Sequence, residues 1–397
     1  MTEKNLDFDT VINRKNTKCL KYDFADKRGY PEDVLPLWVA DMDFKTSSYV
    51  EDALKEVVEH NIYGYTNIQR GDGFFEAIAG WMKRYHDWEV EQSWHVITPG
   101  VCFAIANAIR AVTNANDAVI IQQPVYYPFS AIIRNNGRRL IVNNLKYDGV
   151  RYSIDFEDFE EKIIDNNVKL FILCNPHNPV GRVWTENELT ELGRICQKHN
   201  VIVFSDEIHF DFVWKGKHVV FQEINSDFRE FTITATAPSK TFNLAGTQQS
   251  NIFIPNESIR DKFKIQFKVS GLDEPNIFGI AATQAAYTYG DEWYEKVKCY
   301  IKDNIDYAQN FINSNIPFVK MVPIEGTYLI WLDFSNTEIE GKILDDLIIN
   351  KAKLWLDSGR IFGKESSCFQ RINVACPRTV LEEALHRIKI IIEEAVQ

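Results

Sequence analysis

The sequence predicts an α/β fold with a large domain, in which a mainly parallel sheet of seven strands lies between helices, and a smaller α/β domain built from both chain ends. Strand and helix patterns alternate along the chain, which indicates a parallel sheet covered on both faces. A length of 397 residues also exceeds one domain of about 100 to 200 residues. We expect an N-terminal arm with part of the small domain (1–50), a large domain (51–290) and a C-terminal small domain (291–397).

Seven apolar segments predict the strands of the central sheet. In chain order they are His95–Thr98, Ala118–Gln122, Arg139–Asn143, Val168–Cys174, Val201–Asp206, Phe231–Thr236 and Asn251–Ile254. Helical patterns fall between them at Val101–Ala111, Tyr127–Asn135, Asp155–Ile164 and Thr185–His199. The last of these begins with a capping box, because Glu188 follows Thr185 by three residues.

Helical patterns also flank the predicted sheet. They cover Ser48–His60 and Phe74–Trp88 before it, and Glu257–Lys268, Ile277–Tyr289 and Glu292–Asn313 after it. The C-terminal part mixes strand and helix patterns at Tyr328–Phe334, Ile343–Lys351, Gln370–Ala375 and Val380–Ala395. This change of pattern is the basis for a separate small domain.

The composition favours an ordinary cytoplasmic protein that acts on small molecules. Hydrophobic residues make up 45% and charged residues 25% of the chain, which are globular averages. The formal net charge of −12 opposes binding to nucleic acid or to an anionic bilayer. No apolar run approaches the roughly 20 residues of a membrane span. We therefore expect neither nucleic acid nor a membrane as a partner.

The cysteines predict neither disulfides nor a metal site. There are seven, an odd and scattered set without a CxxC pair. Cys174 ends a strand pattern, so it has two interpretations, a nucleophile and a small core residue. The core interpretation is favoured, since a buried free cysteine usually packs as a small hydrophobe.

The candidate chemistry starts from Lys240 and Asp206. Lys240 follows the strand pattern 231–236 and a short run of small residues, so an amine is delivered to a turn, as for a Schiff-base nucleophile. Asp206 ends the strand pattern 201–206. Pyridoxal phosphate enzymes need this pair, because a carboxylate keeps the pyridine nitrogen protonated while a lysine of lowered pKa acts as the base. Pyridoxal phosphate is therefore the predicted cofactor.

Three loops are expected at the same carboxyl edge of the sheet as Lys240 and Asp206, so their residues are further candidates for binding the cofactor. Asn178 lies in a loop with two X-Pro steps and can donate its amide to the ring oxygen. The loop alone favours a structural turn, but its position between the other elements favours the site. The segment from Gly100 through Val101 to Cys102 opens a helix and offers backbone N–H groups to a phosphate, or it forms an ordinary strand-to-helix turn. Tyr126 follows the next strand and can stack on the pyridine ring, or it packs in the core.

Four motifs together resemble the fold type I pyridoxal phosphate enzymes of the aminotransferase class I/II superfamily. Within that superfamily the chain is most similar to the cystathionine β-lyase (MalY/PatB) branch of C–S lyases. The motifs are PLWVADMDF (36–44), NPHNPVGR (175–182), SDEIH (205–209) and APSKTFNLAG (237–246). The resemblance runs from about Pro36 to the C-terminus, and it implies the pyridoxal phosphate-dependent transferase fold.

The resemblance implies a role for each matching residue. Lys240 would carry the cofactor, Asp206 would contact the ring nitrogen, Asn178 the ring oxygen, and Tyr126 would stack on the ring. Arg371 would bind the substrate α-carboxylate through its planar fork of donors. In the same way, Tyr65 would reach the cofactor phosphate of a neighbouring subunit, which requires a homodimer with shared active sites.

The resemblance also has departures near the phosphate. Gln248, Ala237 and His209 replace the arginine, serine and tyrosine of aspartate aminotransferases. The phosphate is therefore expected to depend more on the helix N-terminus, Ser239 and Tyr65. His209 has two open interpretations, contact with the ring oxygen and simple packing.

Further positions are expected on the substrate side of the site. Trp38 and Ala40, from the 36–44 motif, and Tyr63 join Arg371 there. The resulting function is C–S β-elimination of cystathionine or a related cysteine S-conjugate to pyruvate, ammonia and a thiol. Two alternatives remain open at this point: an aminotransferase of class I/II, and a non-catalytic regulatory protein that binds pyridoxal phosphate.

Overall fold

A sheet of seven strands forms the centre of the computed structural model, which describes residues 2–272 and 274–396. The strands are β1 (His95–Thr98), β2 (Ala118–Gln123), β3 (Arg139–Asn144), β4 (Val168–Cys174), β5 (Ile202–Asp206), β6 (Thr232–Thr236) and β7 (Ser250–Phe253). Their order across the sheet is β1-β7-β6-β5-β4-β2-β3. The predicted strands agree with these bounds to within one residue at each end.

Only β7 runs against the other strands of this sheet. It pairs antiparallel with both β1 and β6, while β6, β5, β4, β2 and β3 are parallel neighbours. The carboxyl ends of β1, β2, β4, β5 and β6 therefore lie at one edge of the sheet. Ligands bind at this edge in open α/β sheets, so the loops that follow these strands form the candidate site.

Twelve α-helices surround and extend the sheet in the part of the chain that the structure describes. They are α1 (Ser48–His60), α2 (Phe74–His86), α3 (Val101–Val112), α4 (Pro128–Asn135), α5 (Phe156–Asn166), α6 (Glu186–Lys198), α7 (Pro238–Thr241), α8 (Glu257–Val269), α9 (Ile277–Tyr289), α10 (Asp291–Asn315), α11 (Gly341–Asp346) and α12 (Arg378–Val396). The predicted capping box of α6 is present, since Thr185 and Glu188 bond reciprocally. Helix α2 ends two residues earlier than predicted, because Asp87 adopts a left-handed conformation (φ 51°).

A second sheet follows α10. Its strands are β8 (Lys320–Met321), β9 (Leu329–Asp333), β10 (Asp357–Ser358) and β11 (Phe369–Asn373), in the order β8-β9-β11-β10. The N-terminal residues Leu35–Pro36 pair with Leu354–Trp355, so the start of the chain joins its C-terminal part. The domain boundaries at residues 50 and 290 stay a prediction. Among the described residues, no helix is both long and apolar enough to span a bilayer.

Candidate active site

A cavity of about 290 Å³ lies at the carboxyl edge of the central sheet. Three cavities of larger volume in the described part of the chain, about 380, 530 and 710 Å³, contain none of the predicted site residues. The 290 Å³ cavity contains twelve of the fourteen, namely Trp38, Ala40, Gly100, Val101, Cys102, Tyr126, Asn178, Asp206, His209, Ser239, Lys240 and Arg371. These residues come from both ends of the chain and from five strand termini, so the fold collects them in one place.

Lys240 lies in the short helix α7, just after β6. Its Nζ donates a hydrogen bond to the carbonyl oxygen of Ala40 at 2.7 Å. Burial lowers the pKa of Lys240, Asp41 opposes this shift, and the charge of Arg371 adds to it. An amine with a lowered pKa is suited to act as a nucleophile and as a base.

Asp206 ends β5 and faces the same cavity. Burial raises the pKa of this carboxyl to about 7. One oxygen accepts a hydrogen bond from the backbone N–H of Ile208 at 3.2 Å, and within 2–272 and 274–396 no side chain forms a salt bridge with it. The ionised form of a buried carboxyl is costly without a cationic partner, so a ligand that supplies positive charge there would stabilise ionised Asp206.

The first turn of α3 provides an anion-binding position. Gly100 precedes the helix with φ 137°, a conformation that L side chains rarely adopt, and Val101 and Cys102 begin the helix. Their N–H groups lack helical carbonyl partners, as at every helix N-terminus. Ser239 lines the same cavity. This arrangement can hold a phosphate by backbone donors and the helix dipole.

Arg371 is held in place by three acceptors. Its Nη1 donates to Asn178 Oδ1 at 2.9 Å, and its Nη2 donates to the carbonyl oxygen of Trp38 at 2.7 Å and to Asp357. Its Nε is buried without a hydrogen-bond partner in the described chain. Asn178 keeps its amide N–H₂ for a ligand, because its oxygen is the atom that binds Arg371. The guanidinium is thus fixed at the cavity with donor capacity left.

Asp357 is a site residue that the sequence analysis missed. It lies on β10 directly opposite Arg371 on β11, and it lines the cavity. Burial raises the pKa of the Asp357 carboxyl, while Arg371 and then Arg28 oppose this shift. The carboxylate therefore compensates the charge of Arg371. No local motif marks Asp357, and only the pairing of β10 with β11 identifies it.

The 36–44 motif is fastened to the turn that carries Lys240. Asn243 receives a hydrogen bond from the N–H of Met42 and donates to the carbonyl oxygens of Met42 and Phe44, all between 2.9 and 3.0 Å. Asn373 donates to the carbonyl oxygens of Val39 and Asp41. These bonds place Trp38 and Ala40 against the cavity, although the motif lies about two hundred residues from Lys240.

Tyr126 and His209 lie at the cavity in environments of low polarity. Burial raises the pKa of Tyr126 well above its usual value, and burial together with Lys240 and Arg371 lowers the pKa of His209 well below its own. The imidazole is therefore neutral. Its Nδ1 is buried and has no hydrogen-bond partner among the described residues. The ring-oxygen role of His209 stays a prediction.

Tyr63 and Tyr65 lie outside this cavity. They belong to the extended segment 61–69 between α1 and α2, and their side chains are 53% and 97% exposed. Tyr63 donates to the carbonyl oxygen of Val58 at 3.3 Å. An exposed Tyr65 is available to another subunit, and its predicted contact with a partner's cofactor stays a prediction.

Other residues that line the cavity were not predicted as part of the site. They are Leu20, Val39, Pro99, Tyr127, Cys174, Ile208, Ala245, Gln248, Gln249 and Asp357. The sequence could have indicated Tyr127, because it directly follows the predicted site residue Tyr126. Gln249 carries a buried Nε2 without a partner in the part that the structure describes. The predicted phosphate end therefore has more donors than the helix N-terminus alone.

These features fit pyridoxal phosphate. Asp206 lacks a cation that a protonated pyridine nitrogen would supply, Lys240 offers an amine, Asn178 has free N–H donors, and the start of α3 accepts an anion. The ring nitrogen, aldehyde, ring oxygen and phosphate of the cofactor would therefore each meet a protein group that can still form a bond.

Comparisons with known proteins agree with this arrangement. The family model for aminotransferase class I and II matches residues 32–388. Cystathionine beta-lyase PatB of Bacillus subtilis is 40% identical over 97% of this chain and 99% of its own length. Cystalysin from Treponema denticola, whose crystal structure contains pyridoxal phosphate, superposes with a TM-score of 0.93 at 38% identity, covering 98% of this chain and 99% of that chain.

A third relative is a pyridoxal phosphate-bound C–S lyase from Staphylococcus hominis. It superposes with a TM-score of 0.90 at 32% identity, covering 98% of this chain and 99% of that chain. The resemblance stated from the four sequence motifs is thereby confirmed, and so is the predicted fold. This chain belongs to the aminotransferase class I and II family of pyridoxal phosphate-dependent enzymes.

Proposed function

We propose that this protein is a pyridoxal phosphate-dependent C–S β-lyase that cleaves cystathionine or related L-cysteine S-conjugates. The observation that carries the proposal is the meeting of Lys240, Asp206 and Arg371 at one cavity. Three relatives support the reaction type. PatB and a protein of Corynebacterium glutamicum are named cystathionine beta-lyases, and the Staphylococcus hominis protein is described as a C–S lyase. The overall conversion is conjugate plus water to pyruvate, ammonia and a thiol.

In the proposed reaction, Arg371 and Lys240 have separate roles that follow from where each lies in the cavity. Arg371 binds the α-carboxylate of the substrate with donors already aligned by Asn178, Trp38 and Asp357. Lys240 removes the Cα proton, because burial lowers the pKa of its amine and so favours the neutral, basic form. The chemistry that pyridoxal phosphate supplies when bound is an electron sink for the Cα carbanion.

Expulsion of the β-thiolate follows from that carbanion. With the cofactor bound, the pair of electrons left on Cα would form the Cα–Cβ double bond while the C–S bond breaks, and the proton taken by Lys240 would be available to the thiolate. His209, whose lowered pKa keeps it neutral, and the buried Tyr126 line the same cavity as Lys240, so neither adds a charge beside the reacting carbon.

The test is turnover without a 2-oxo acid. Purified holoenzyme and cystathionine should release pyruvate and thiol continuously, at many equivalents per subunit. An aminotransferase shares every step up to the carbanion, but it would stop after one equivalent with its cofactor in the amine form. A regulatory protein that only binds the cofactor would release no pyruvate, and either result would refute the lyase.

We also propose a cytoplasmic homodimer in which Tyr65 completes the partner's site. A single chain leaves this side chain almost fully exposed, which supports the proposal. Mixing Tyr65→Phe with Lys240→Ala subunits tests it, because a hybrid dimer would contain one site free of both changes. Recovered activity would support shared sites, and activity no higher than in the separate variants would contradict them.

A further inference from the structure

Arg28 lies beside the substrate side of the cavity. Its guanidinium carbon is 4.3 Å from the ring centroid of Trp38 and 5.3 Å from that of Trp355. The two indoles stack on each other at 4.5 Å with an interplanar angle of 10°. Trp38 lines the cavity, so the stack holds the cation of Arg28 next to a cavity-lining side chain.

The charge of Arg28 also reaches two residues that line the cavity. The charge of Arg28 lowers the pKa of Asp357 and of Tyr127, in both cases against the larger effect of burial. Both residues line the cavity. Arg28 therefore interacts with three cavity residues on separate chain segments. Its charge affects Asp357 and Tyr127, and its guanidinium contacts the ring of Trp38.

Arg28 and Arg371 differ in how their charges are satisfied. Arg371 is compensated by Asp357. Arg28 is exposed, and within the described residues its guanidinium makes no hydrogen bond or ion pair, only the contacts with the indoles. Its five N–H donors are thus free for an anion, while the indoles limit the motion of its side chain.

Trp38 lies between the two arginines in the network of contacts. Arg371 bonds to the backbone carbonyl of this residue, and Arg28 stacks on its indole. Trp38 therefore contacts both guanidinium groups, one through its backbone carbonyl oxygen and one through its indole. A cysteine S-conjugate whose α-carboxylate binds Arg371 could extend its sulfur substituent past Trp38 toward Arg28.

We propose that Arg28 is a specificity residue that binds a carboxylate at the far end of the sulfur substituent. This inference rests on the proposed lyase function. It defines the preferred substrate class as anionic L-cysteine thioethers, with neutral thioethers as poorer substrates. The carboxylate would accept hydrogen bonds from Arg28 above the Trp38–Trp355 stack.

The test compares two substrates of equal chain length, S-carboxypropyl-L-cysteine and S-butyl-L-cysteine. In the holoenzyme, kcat/KM for the carboxylate substrate should exceed that for the butyl substrate. Arg28→Gln should lower this preference about tenfold, mainly through KM, because it removes a charged hydrogen-bonding partner. Arg28→Glu should lower it further by repelling the carboxylate.

Lys27→Gln is the matched control. Lys27 precedes Arg28 in the same short helical turn, and its ammonium lies 4.7 Å from the ring centroid of Phe24, which is not a cavity residue. This variant should keep the wild-type preference. An equal fall for both substrates in Arg28→Gln, or an unchanged preference, would overturn the inference.

Failure of the lyase function gives a different result. The wild-type holoenzyme would then release no pyruvate from either conjugate. Binding of the two conjugates, followed by the change in cofactor absorbance, would still measure the preference and its dependence on Arg28. Equal binding of both conjugates by wild type and Arg28→Gln would overturn the inference in that case too.

Discussion

The two sides of the cavity satisfy their charges in opposite ways. The cofactor side (Asp206, His209 and Lys240) holds titratable groups whose pKa values are all shifted toward the neutral form, chiefly by burial. The substrate side (Trp38, Asp357 and Arg371) holds a buried ion pair. On the cofactor side, the charged form of Asp206 has no ion-pair partner among the residues that the structure describes. On the substrate side, the charge of Arg371 is already balanced by Asp357.

This difference separates two tasks. A permanently bound cofactor can supply the missing charges once and keep them, so the protein can leave Asp206 unpaired. A substrate enters and leaves in every turnover, so a buried, unpaired arginine would be costly in each empty state. Asp357 removes that cost and also orients Arg371. Changes on the cofactor side should therefore affect cofactor binding and chemistry, and changes on the substrate side should affect stability and KM.

Lys240→Ala should give the largest effect. It removes the amine that we propose both carries the cofactor and acts as the base, so turnover should fall at least about a thousandfold. Pyruvate release and the imine absorbance of the purified protein measure the two roles. Exposed Lys215→Ala is the control and should behave as wild type. An unchanged absorbance in Lys240→Ala would remove the central assignment of the cofactor side.

Asp206→Asn should weaken cofactor binding about a hundredfold or more, because the ring nitrogen would lose a buried charge partner. Titration with pyridoxal phosphate, followed by absorbance, measures this affinity. Asp303→Asn, an exposed substitution of the same type, is the matched control. Equal affinities in Asp206→Asn and wild type would mean that the carboxylate does not contact the cofactor.

Asp206 should also make the free energy of unfolding of the cofactor-free protein depend on pH, and Asp206→Asn should reveal this dependence. The pKa of Asp206 is about 7 when folded and about 4 when unfolded. The folded chain therefore holds a proton that the unfolded chain releases, and the free energy of unfolding falls as pH rises through this window. Thermal unfolding of Asp206→Asn should lose this part of the pH dependence. Identical pH profiles for the variant and wild type would contradict the burial effect.

The cofactor side was predictable because its residues are local to sheet termini. Lys240 and Asp206 each follow an apolar run, and the parallel sheet brings those ends together. The substrate side was predictable only in part. Arg371 came from resemblance, while Asp357 and Arg28 were missed, since their roles depend on a strand pair and on a stack of two indoles that lie more than three hundred residues apart. Sequence patterns indicate elements well, but such long-range pairs have no local signal.

Arg371→Gln should change both stability and substrate binding. It leaves the Asp357 carboxylate buried without its partner, which should cost about 3 kcal/mol of unfolding free energy, and it should lower kcat/KM about a hundredfold. Denaturant unfolding and pyruvate release measure the two losses.

The double variant Arg371→Gln with Asp357→Asn sharpens this prediction. It should recover much of the stability, because no unpaired charge remains, but not the activity. Recovery of both would mean that Arg371 acts only through the ion pair. Recovery of neither would mean that the two side chains are not energetically coupled.

Cys174→Ala should give the smallest effect, and it decides between the two interpretations of this cysteine. Its thiol donates to the carbonyl oxygen of Pro176 at 3.4 Å, and burial raises its pKa far above the usual range. A thiolate nucleophile is therefore not accessible near pH 7, although the residue lines the cavity. We expect kcat within about threefold of wild type and a stability loss of about 1 kcal/mol from the missing sulfur. Loss of turnover with an intact imine absorbance would instead place Cys174 among the reacting groups and extend the cofactor side to β4.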